Sequence, residues 1–178
     1  MTDGDLRTPL TVVVMGVSGS GKTTLARALA DRLGCPFAEG DDMHPAANVL
    51  KMAAGHPLDD EDRLPWLRDV AAWIAAHEST GSAAVLTCSA LRRRYRDLLR
   101  EGNSSVWFAH LHPSPAVLAD RLAHRTGHYM PASLLDSQLR TLEPLQDGEP
   151  GALVQVAPGA PSTAVLDAVL AALPRRGE

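Results

Sequence analysis

The apolar positions of this chain form short buried runs that alternate with longer segments of helical spacing. Five short runs, several of them rich in β-branched residues, predict strands. They are Leu10–Met15, Pro36–Glu39, Ala83–Cys88, Ser105–Leu111 and Leu153–Val156. Seven segments with helical spacing or helix-end residues predict helices. They are Lys22–Leu33, Ala46–Ala54, Asp59 as a cap through about Glu78, Arg92–Arg100, Ser114–Arg125, Pro131–Leu142 and Ser162–Leu173.

This alternation of strands and helices predicts a parallel sheet with helices on both faces, because parallel strands need crossover connections. The sequence has no internal repeat, low-complexity tract or interdomain linker, so we predict one three-layer α/β/α domain over residues 1–178, with a five-stranded sheet. Open sheets of this kind bind ligands outside the carboxyl ends of their strands. The residues that follow the predicted strands are therefore the candidates for function.

Composition narrows the class of protein. The formal net charge of −4 gives no support for general nucleic-acid binding. No apolar stretch approaches the roughly 20 residues that span a bilayer, and the polar start of the chain lacks a signal-peptide pattern. Cys35 and Cys88 match no metal or redox spacing and are interpreted as reduced thiols. We therefore predict a cytoplasmic protein with no nucleic-acid or membrane partner.

The basic residues are strongly biased towards arginine. Of 17 basic residues only Lys22 and Lys51 are lysines, so each is a candidate for a task that arginine cannot perform. Lys22 has such a task in the motif described next. For Lys51, this composition argument alone does not separate a functional role from a lysine retained by chance on a solvated face.

The segment Gly16–Thr23 reads Gly-Val-Ser-Gly-Ser-Gly-Lys-Thr and fits the phosphate-binding pattern G-x-x-x-x-G-K-[ST]. It follows a predicted strand and opens a predicted helix, which is the context this motif requires. Its backbone N–H groups and the helix N-terminus attract phosphate oxygens. Lys22 can reach the terminal phosphates, and the Thr23 hydroxyl can bind Mg²⁺. The predicted nucleotide-binding residues of this segment are Gly16, Ser18, Gly19, Ser20, Gly21, Lys22, Thr23 and Thr24.

This motif predicts a nucleoside triphosphate and Mg²⁺ without deciding the reaction, because GTPases, ATPases, kinases and nucleotide sensors share it. An acidic cluster after the second predicted strand is more specific. A kinase of small alcohols needs a carboxylate that orients the attacking hydroxyl, and Asp41 is the candidate. Glu39 is a candidate to hold Mg²⁺ through water, and His44 could donate to a substrate oxygen or cap the next helix. The alternative is an acidic, solvated turn.

Arginines follow the third and fourth predicted strands. Four lie between positions 92 and 96, where they can bind a carboxylate or phosphate or form a solvated helix face, and Arg92 is nearest the strand end. Arg121 and Arg125 share a helix face at i, i+4. With Gly127 and Pro131 they predict a lid, about residues 121–135, that carries arginines onto the transferring phosphoryl group. The alternative is a surface helix with two solvated arginines.

Several segments of the chain resemble the gluconate kinases (gluconokinases), P-loop small-molecule kinases related to shikimate kinase and the nucleoside monophosphate kinases. These segments run in family order over about residues 10–145. They are Met15–Thr23, Gly40–Pro45, Asn48–Met52, Gly55–Arg63 with Pro65–Leu67, Cys88–Leu91 with Tyr95–Arg100, and Gly127–Pro131 through Gln138. The Gly-Asp-Asp-x-His-Pro, Pro-Trp-Leu and Cys-Ser-Ala-Leu segments are much more particular to the family than the phosphate loop.

The resemblance implies the P-loop kinase fold with a mobile lid, and phosphorylation of D-gluconate at its 6-hydroxyl by ATP with Mg²⁺. It implies a homodimer in which Asp41 faces that hydroxyl. The catalytic residues that it implies are Asp41, Lys22, Arg121 and Arg125. The residues that it places around the sugar acid are Asp41, His44, Lys51, Ser89, Arg92, His128 and Gln138. Which of Arg92, Arg93 and Arg94 engages the gluconate carboxylate is open. By fold analogy, adenine contacts are expected near Ala157–Pro161.

Two other functions compete with this interpretation. A kinase for another small acid or polyol, such as shikimate, is disfavoured by the Gly-Asp-Asp-x-His-Pro segment and by the lack of a Gly-Gly-Gly run after the third strand. A P-loop regulator or adaptor without metabolite kinase activity is a rival of a different class. The sequence has no Asn-Lys-x-Asp guanine motif and no aspartate at the end of the third strand, which disfavours a GTPase switch.

Overall fold

A computed structural model of the chain contains a five-stranded parallel sheet. The structure describes residue 6 and residues 9–124 and 132–175. The strands lie in the spatial order β2-β3-β1-β4-β5, and each neighbouring pair is parallel. Their bounds are β1 Leu10–Met15, β2 Phe37–Glu39, β3 Ala83–Thr87, β4 Val106–Pro113 and β5 Gly151–Val156. The predicted fold class is confirmed; β4 ends two residues later than predicted, and β5 starts two residues earlier.

Seven α-helices in the described part of the chain lie within a few residues of their predicted positions. Their bounds are α1 Lys22–Leu33, α2 Ala46–Ala53, α3 Asp60–Glu78, α4 Arg93–Arg100, α5 Pro115–Ala123, α6 Ala132–Thr141 and α7 Ser162–Ala172. A short 3₁₀ helix, Gly40–Met43, follows β2, where the sequence indicates only an acidic turn. The loop of the predicted lid, residues 125–131, lies outside the described residues.

The central strand β1 is buried on both sides, because helices cover both faces of the sheet. Val12 and Val14 pack in one core with α1 and α7, whereas Val13 and Met15 pack in the other with α3 and α4. All four side chains are inaccessible to solvent. Burying one side chain of this size contributes about 1.5–3 kcal/mol. A strand with two buried faces therefore appears in the sequence as a continuous apolar run.

The helix N-termini match their sequence signals. The Asp59 carboxylate accepts the Asp62 N–H, and the Asp62 carboxylate accepts the Asp59 N–H, each at 2.9 Å. This pair is a capping box that starts α3. Ser114 caps α5 by accepting the Val117 N–H, with Pro115 in the first helical position. These local interactions explain why the predicted starts of both helices are correct.

The thiol of Cys88 is free, as predicted. Cys88 is buried at the end of β3, and loss of solvation raises the pKa of its thiol to about 12. Such a thiol stays protonated and unreactive at neutral pH. Among the described helices, none combines the length and the apolar character needed to cross a membrane.

A buried ion pair joins α4 to the segment that precedes β5. Arg96 is inaccessible to solvent and donates to both carboxylate oxygens of Glu149, at 2.6 and 2.9 Å. Its guanidinium also donates to the backbone carbonyls of Ala90, Glu143 and Pro144. The sequence groups Arg96 with neighbouring arginines as a possible ligand site, but these contacts give it a structural role.

We expect Arg96→Leu to lower the free energy of unfolding by about 3–5 kcal/mol, because the variant removes the buried cation that binds both oxygens of the Glu149 carboxylate. Arg94→Leu is the matched control. Arg94 pairs with Asp60 where the side chains are 55% and 49% exposed, and water screens such a pair, so its loss should lower stability much less. Urea unfolding followed by circular dichroism measures both changes, and equal losses would contradict the structural role of Arg96.

His110 is buried in β4 beneath the α4 side of the sheet. Neither of its ring nitrogens has a hydrogen-bond partner among the described residues. Burial lowers the pKa of His110 to about 4, with further lowering from the nearby His112 and Arg96 and an opposing effect of Glu149. The imidazole is therefore neutral at physiological pH.

This burial predicts a pH-dependent stability. Between the unfolded pKa of 6.5 and the folded value of about 4, only the unfolded chain takes up a proton at His110. The free energy of unfolding should fall as the pH is lowered through this range, by at most about 1.4 kcal/mol per pH unit. Denaturant unfolding at several pH values should give a shallower dependence for His110→Leu than for wild type. His112→Leu is the control that should keep most of the dependence; wild-type behaviour of His110→Leu would refute the assignment.

Candidate active site

A cavity of about 780 Å³ opens at the carboxyl ends of the strands, where the sequence analysis expects ligands. It is walled by the phosphate loop, the 3₁₀ helix, α3, the turn after β3, α5, α6 and the chain after β5. Most predicted site residues within the described ranges line it together. They are Ser18, Gly19, Ser20, Gly21, Lys22, Thr23, Thr24, Glu39, Asp41, His44, Ser89, Arg121 and Gln138. Gly16, Lys51 and Arg92 are not part of the lining.

The phosphate loop depends on glycine at two positions. Gly21 is the N-cap of α1 and has φ 97°, a left-handed conformation that other residues avoid. A Cβ on Gly16 would lie 2.7 Å from the Leu111 carbonyl oxygen. The start of the loop can therefore pack against the end of β4 only if residue 16 is a glycine. The loop then presents the N-terminus of α1 to the cavity, which is the geometry that attracts phosphate. The Lys22 ammonium group lies against this loop and donates to the Val17 carbonyl at 3.0 Å.

A hydroxyl–carboxylate pair lies beside this loop. The Thr23 hydroxyl donates to Glu39 Oε2 at 2.6 Å, and Glu39 Oε1 accepts from the Thr87 hydroxyl. No group of three or more acidic, histidine or cysteine side chains in the described residues is arranged to hold a metal alone. This fits Mg²⁺, which usually binds through one or two protein oxygens together with waters and substrate phosphates. Thr23 and Glu39 have the ligand chemistry that the sequence analysis predicts for that ion.

The turn after β2 is held close to the end of β3. The Gly40 N–H donates to the Thr87 hydroxyl at 3.0 Å, and the Gly40 carbonyl accepts from the Trp66 indole at 2.8 Å. A Cβ on Gly40 would lie 1.9 Å from the Thr87 carbonyl oxygen. Only glycine fits at this position, and it sets the direction in which Asp41 leaves the sheet.

We expect Gly40→Ala to lower turnover by about 100-fold, because the added methyl group forces the turn, and Asp41 with it, away from β3. ATP binding should change much less, since the phosphate loop follows a different strand. Gly34→Ala is the control: Gly34 has φ 62° but no neighbour within 4 Å of a Cβ, so it should cost about 1–2 kcal/mol of stability without loss of turnover. Steady-state kinetics and nucleotide titration measure both effects. Normal turnover of Gly40→Ala would contradict the packing argument.

Asp41 and His44 form one wall of the cavity. The Asp41 side chain is 71% exposed, and its carboxylate lies 3.8 Å from His44 Nε2. The His44 ring is stacked on Trp66 with a centroid distance of 4.1 Å, and its Nδ1 lies 3.3 Å from Asn48 Nδ2. Burial lowers the pKa of His44, an effect that Asp41 opposes and Arg63 reinforces. His44 is therefore a neutral, fixed hydrogen-bonding group beside an accessible carboxylate.

Lys51 lies on α2 and contacts the capping box of α3. Its ammonium group lies 2.5 Å from Asp62 and 3.7 Å from Asp59. Asn48, one turn earlier, donates to the Asp62 backbone carbonyl at 2.8 Å. These contacts attach α2 to the start of α3, and the predicted role of Lys51 in binding the sugar acid stays a prediction.

The turn after β3 is strained. Ala90 has φ 44°, an uncommon conformation for a residue other than glycine. It is held by Arg96, which donates to its carbonyl, and by the Gly16 N–H, which donates to the preceding Ser89 carbonyl at 3.3 Å. The strained turn keeps Ser89 in the cavity lining, beside the phosphate loop. Sequence periodicity carries no signal for this conformation.

The arginines after this turn have different environments. Arg93 pairs with Asp97, and Arg94 pairs with Asp60. Arg92 is the N-cap of α4, and its buried Nε has no partner among the described residues. None of the three lines the cavity.

Two helices that flank the loop of the predicted lid contact the phosphate loop. Arg121 of α5 donates to the Gly19 carbonyl at 3.0 Å, and Gln138 of α6 accepts the Ser18 N–H at 2.7 Å. Both side chains therefore lie at the phosphate end of the cavity. Arg125 and His128, the other residues predicted on this segment, lie outside the described residues.

Some lining residues have no role in the sequence-based prediction. Arg63 and Trp66 of α3 belong to segments that resemble the gluconokinases, but nothing in their spacing marks them as ligand contacts. The cavity also continues past β5 along Val156, Ala160 and Thr163, and the adenine contacts expected near Ala157–Pro161 stay a prediction.

The fold and this site define a P-loop kinase of small molecules. Comparison with known proteins extends this assignment. The profile of a family described as an AAA domain matches residues 11–145. A gluconokinase of Gluconobacter oxydans is 56% identical, over 80% of this chain and 80% of that protein. The chain belongs to the gluconokinase family, as its sequence segments indicate. Kinases of this class use ATP, typically with Mg²⁺.

Solved structures agree with this assignment. An unliganded sugar kinase from a Janibacter species is 49% identical, with a TM-score of 0.84 over 91% of this chain and 92% of that one. A gluconokinase from Sinorhizobium meliloti is 44% identical, with a TM-score of 0.81 over 93% and 92%.

Proposed function

We propose that this chain transfers the terminal phosphoryl group of ATP to the 6-hydroxyl of D-gluconate, giving 6-phospho-D-gluconate and ADP. One observation carries the proposal: Lys22 of the phosphate loop and the accessible carboxylate of Asp41 line the same cavity. A phosphate donor and a hydroxyl acceptor can therefore meet between them. The identity of the acceptor is supported by the 56% identical relative, which is a gluconokinase.

The phosphate end of the cavity supplies positive charge. The amides at the N-terminus of α1, the Lys22 ammonium and the Arg121 guanidinium all border it. Charge on the transferring phosphoryl group is spread over its equatorial oxygens in the transition state, and fixed donors stabilise it there. Thr23 and Glu39 would hold Mg²⁺, which supplies further neutralisation of the phosphates when bound.

The sugar end of the cavity orients the acceptor. The Asp41 carboxylate would accept a hydrogen bond from the 6-hydroxyl, direct its oxygen in line with the leaving group, and take its proton as the new P–O bond forms. Neutral His44 lies beside Asp41, where it can bind a neighbouring hydroxyl of the sugar acid. Ser89 also lines the cavity, whereas Gln138 lies at its phosphate end, where it accepts the Ser18 N–H.

We expect Asp41→Asn to lower turnover by at least about tenfold while ATP binding stays nearly intact, because an amide keeps the shape but cannot accept the proton. Asp42→Asn is the matched control, since Asp42 is exposed and is not part of the lining. Steady-state kinetics and nucleotide titration give the two readouts. If Asp41→Asn turns over normally, Asp41 is only a turn residue.

An ADP-release assay over a panel of sugar acids and polyols, with shikimate included, tests the reaction itself. Gluconate-dependent turnover with Mg²⁺ is the expected result. Turnover on a different acceptor would support the related-kinase alternative, and nucleotide binding without any acceptor-dependent turnover would support a regulator or adaptor. We also expect the protein to act as a homodimer in the cytoplasm, which sedimentation and cell fractionation can test.

A further inference from the structure

A sugar acid differs from a polyol by its carboxylate, so the proposed acceptor requires a cation at the sugar end of the cavity. Several basic side chains near that end are already neutralised. Arg93, Arg94 and Lys51 each pair with an aspartate, and Arg96 pairs with Glu149. A cation that lines the cavity and keeps its charge uncompensated must therefore come from elsewhere.

Arg63, in the first turns of α3, meets this requirement. It is half-buried and lines the cavity together with His44 and Trp66. Its Nη1 donates to the Tyr95 hydroxyl at 3.0 Å, and its guanidinium carbon lies 5.4 Å from the centre of the Tyr95 ring. Arg63 forms no ion pair with any carboxylate in the described part of the chain.

A hydrogen-bonded relay fixes the Arg63 guanidinium without neutralising it. The Tyr95 hydroxyl donates its proton to Asp60, so its lone pair is presented to Arg63. Asp60 is in turn paired with Arg94. Tyr95 is only 4% exposed, which holds the phenol in one position. The aspartate charge is therefore balanced by Arg94, and the charge of Arg63 stays available to a ligand.

Arg92 is the residue that sequence reasoning places here, and its position fits less well. Its side chain is not part of the lining, whereas Arg63 is. Arg92 nevertheless keeps a buried Nε without a partner among the described residues. The two arginines are therefore the competing candidates, and the cavity lining favours Arg63.

We propose that Arg63 binds the carboxylate of the sugar-acid substrate, with Tyr95 as the residue that positions it. This inference rests on the proposed function, and it assigns the specificity for an acid over a polyol to one side chain. A guanidinium suits this task because its planar N–H groups match the two oxygens of a carboxylate. Asp41 then engages the hydroxyl at the other end of the same substrate.

The experiment compares D-gluconate with D-glucitol, which has the same carbon chain but a hydroxyl in place of the carboxylate. The KM for gluconate and the inhibition constant of glucitol against gluconate are measured for wild type and Arg63→Gln. We expect the KM for gluconate to rise at least about tenfold, the loss expected for a charge-assisted hydrogen bond, with little change in glucitol inhibition or in the KM for ATP. Arg63→Lys should recover part of the loss.

Arg68→Gln is the matched control and should keep both constants near wild type, because Arg68 is an exposed arginine of the same helix that is not part of the cavity lining. The inference is overturned if Arg92→Gln, and not Arg63→Gln, raises the KM for gluconate selectively. It is also overturned if Arg63→Gln weakens the binding of gluconate and of glucitol equally, because that result indicates a structural role.

If Arg63→Gln does not fold, Tyr95→Phe is the deciding variant. A selective rise in the KM for gluconate supports the inference, and an unchanged KM overturns it. If the wild-type protein shows no gluconate-dependent turnover, that result instead refutes the proposed function.

Discussion

The close approach of the Gly40 backbone to the Thr87 carbonyl is the contact on which the geometry of the site depends. It joins the carboxyl ends of β2 and β3, and the Gly40 N–H reinforces it by donating to the Thr87 hydroxyl at 3.0 Å. Because Glu39 precedes this glycine and Asp41 follows it, one backbone contact directs both carboxylates. Glu39 turns towards Thr23 and the phosphate loop, while Asp41 leaves on the solvent-facing side of the cavity.

Ion pairing around the cavity determines which basic side chains are available to bind an anionic ligand. The chain carries a net charge of −4, so arginines are not in excess and most near the site have a carboxylate partner. Arg93, Arg94 and Arg96 are held in this way. These pairs stabilise local structure, whereas the guanidinium of Arg63 lines the cavity and has no carboxylate partner among the described residues. The distinction depends on three-dimensional partners and not on distance from a strand end.

Much of the fold was predictable from the sequence because its determinants are local. The two-sided burial of β1 produces an apolar run, and the Asp59 capping box and the Ser114–Pro115 pair are short-range signals. The phosphate loop is equally local, because glycine spacing, a preceding strand and a following helix are all visible in one segment. For the same reason Thr23, Glu39 and Asp41 could be placed at one edge of the sheet.

The features that escaped prediction depend on contacts between distant segments. The strained Ala90 is held by Arg96 and the phosphate loop, and the charge of Arg63 depends on Tyr95, Asp60 and Arg94. Arg96 belongs to a basic run, yet its partner Glu149 lies 53 residues away. No periodicity links such positions, so the sequence identified the arginine run without separating structural members from candidates for ligand binding.

The attachment of α2 gives the two ends of the cavity different sensitivities to salt. Val49 and Leu50 of this helix are 50% and 72% exposed, so apolar packing holds it weakly. Its link to α3 is instead the partly exposed contact between Lys51 and Asp62, together with the Asn48 hydrogen bond. Dissolved ions screen such a pair, whereas the backbone geometry of the phosphate loop is indifferent to them. Ionic strength therefore acts on the sugar end of the cavity, where Met52 of α2 forms part of the wall.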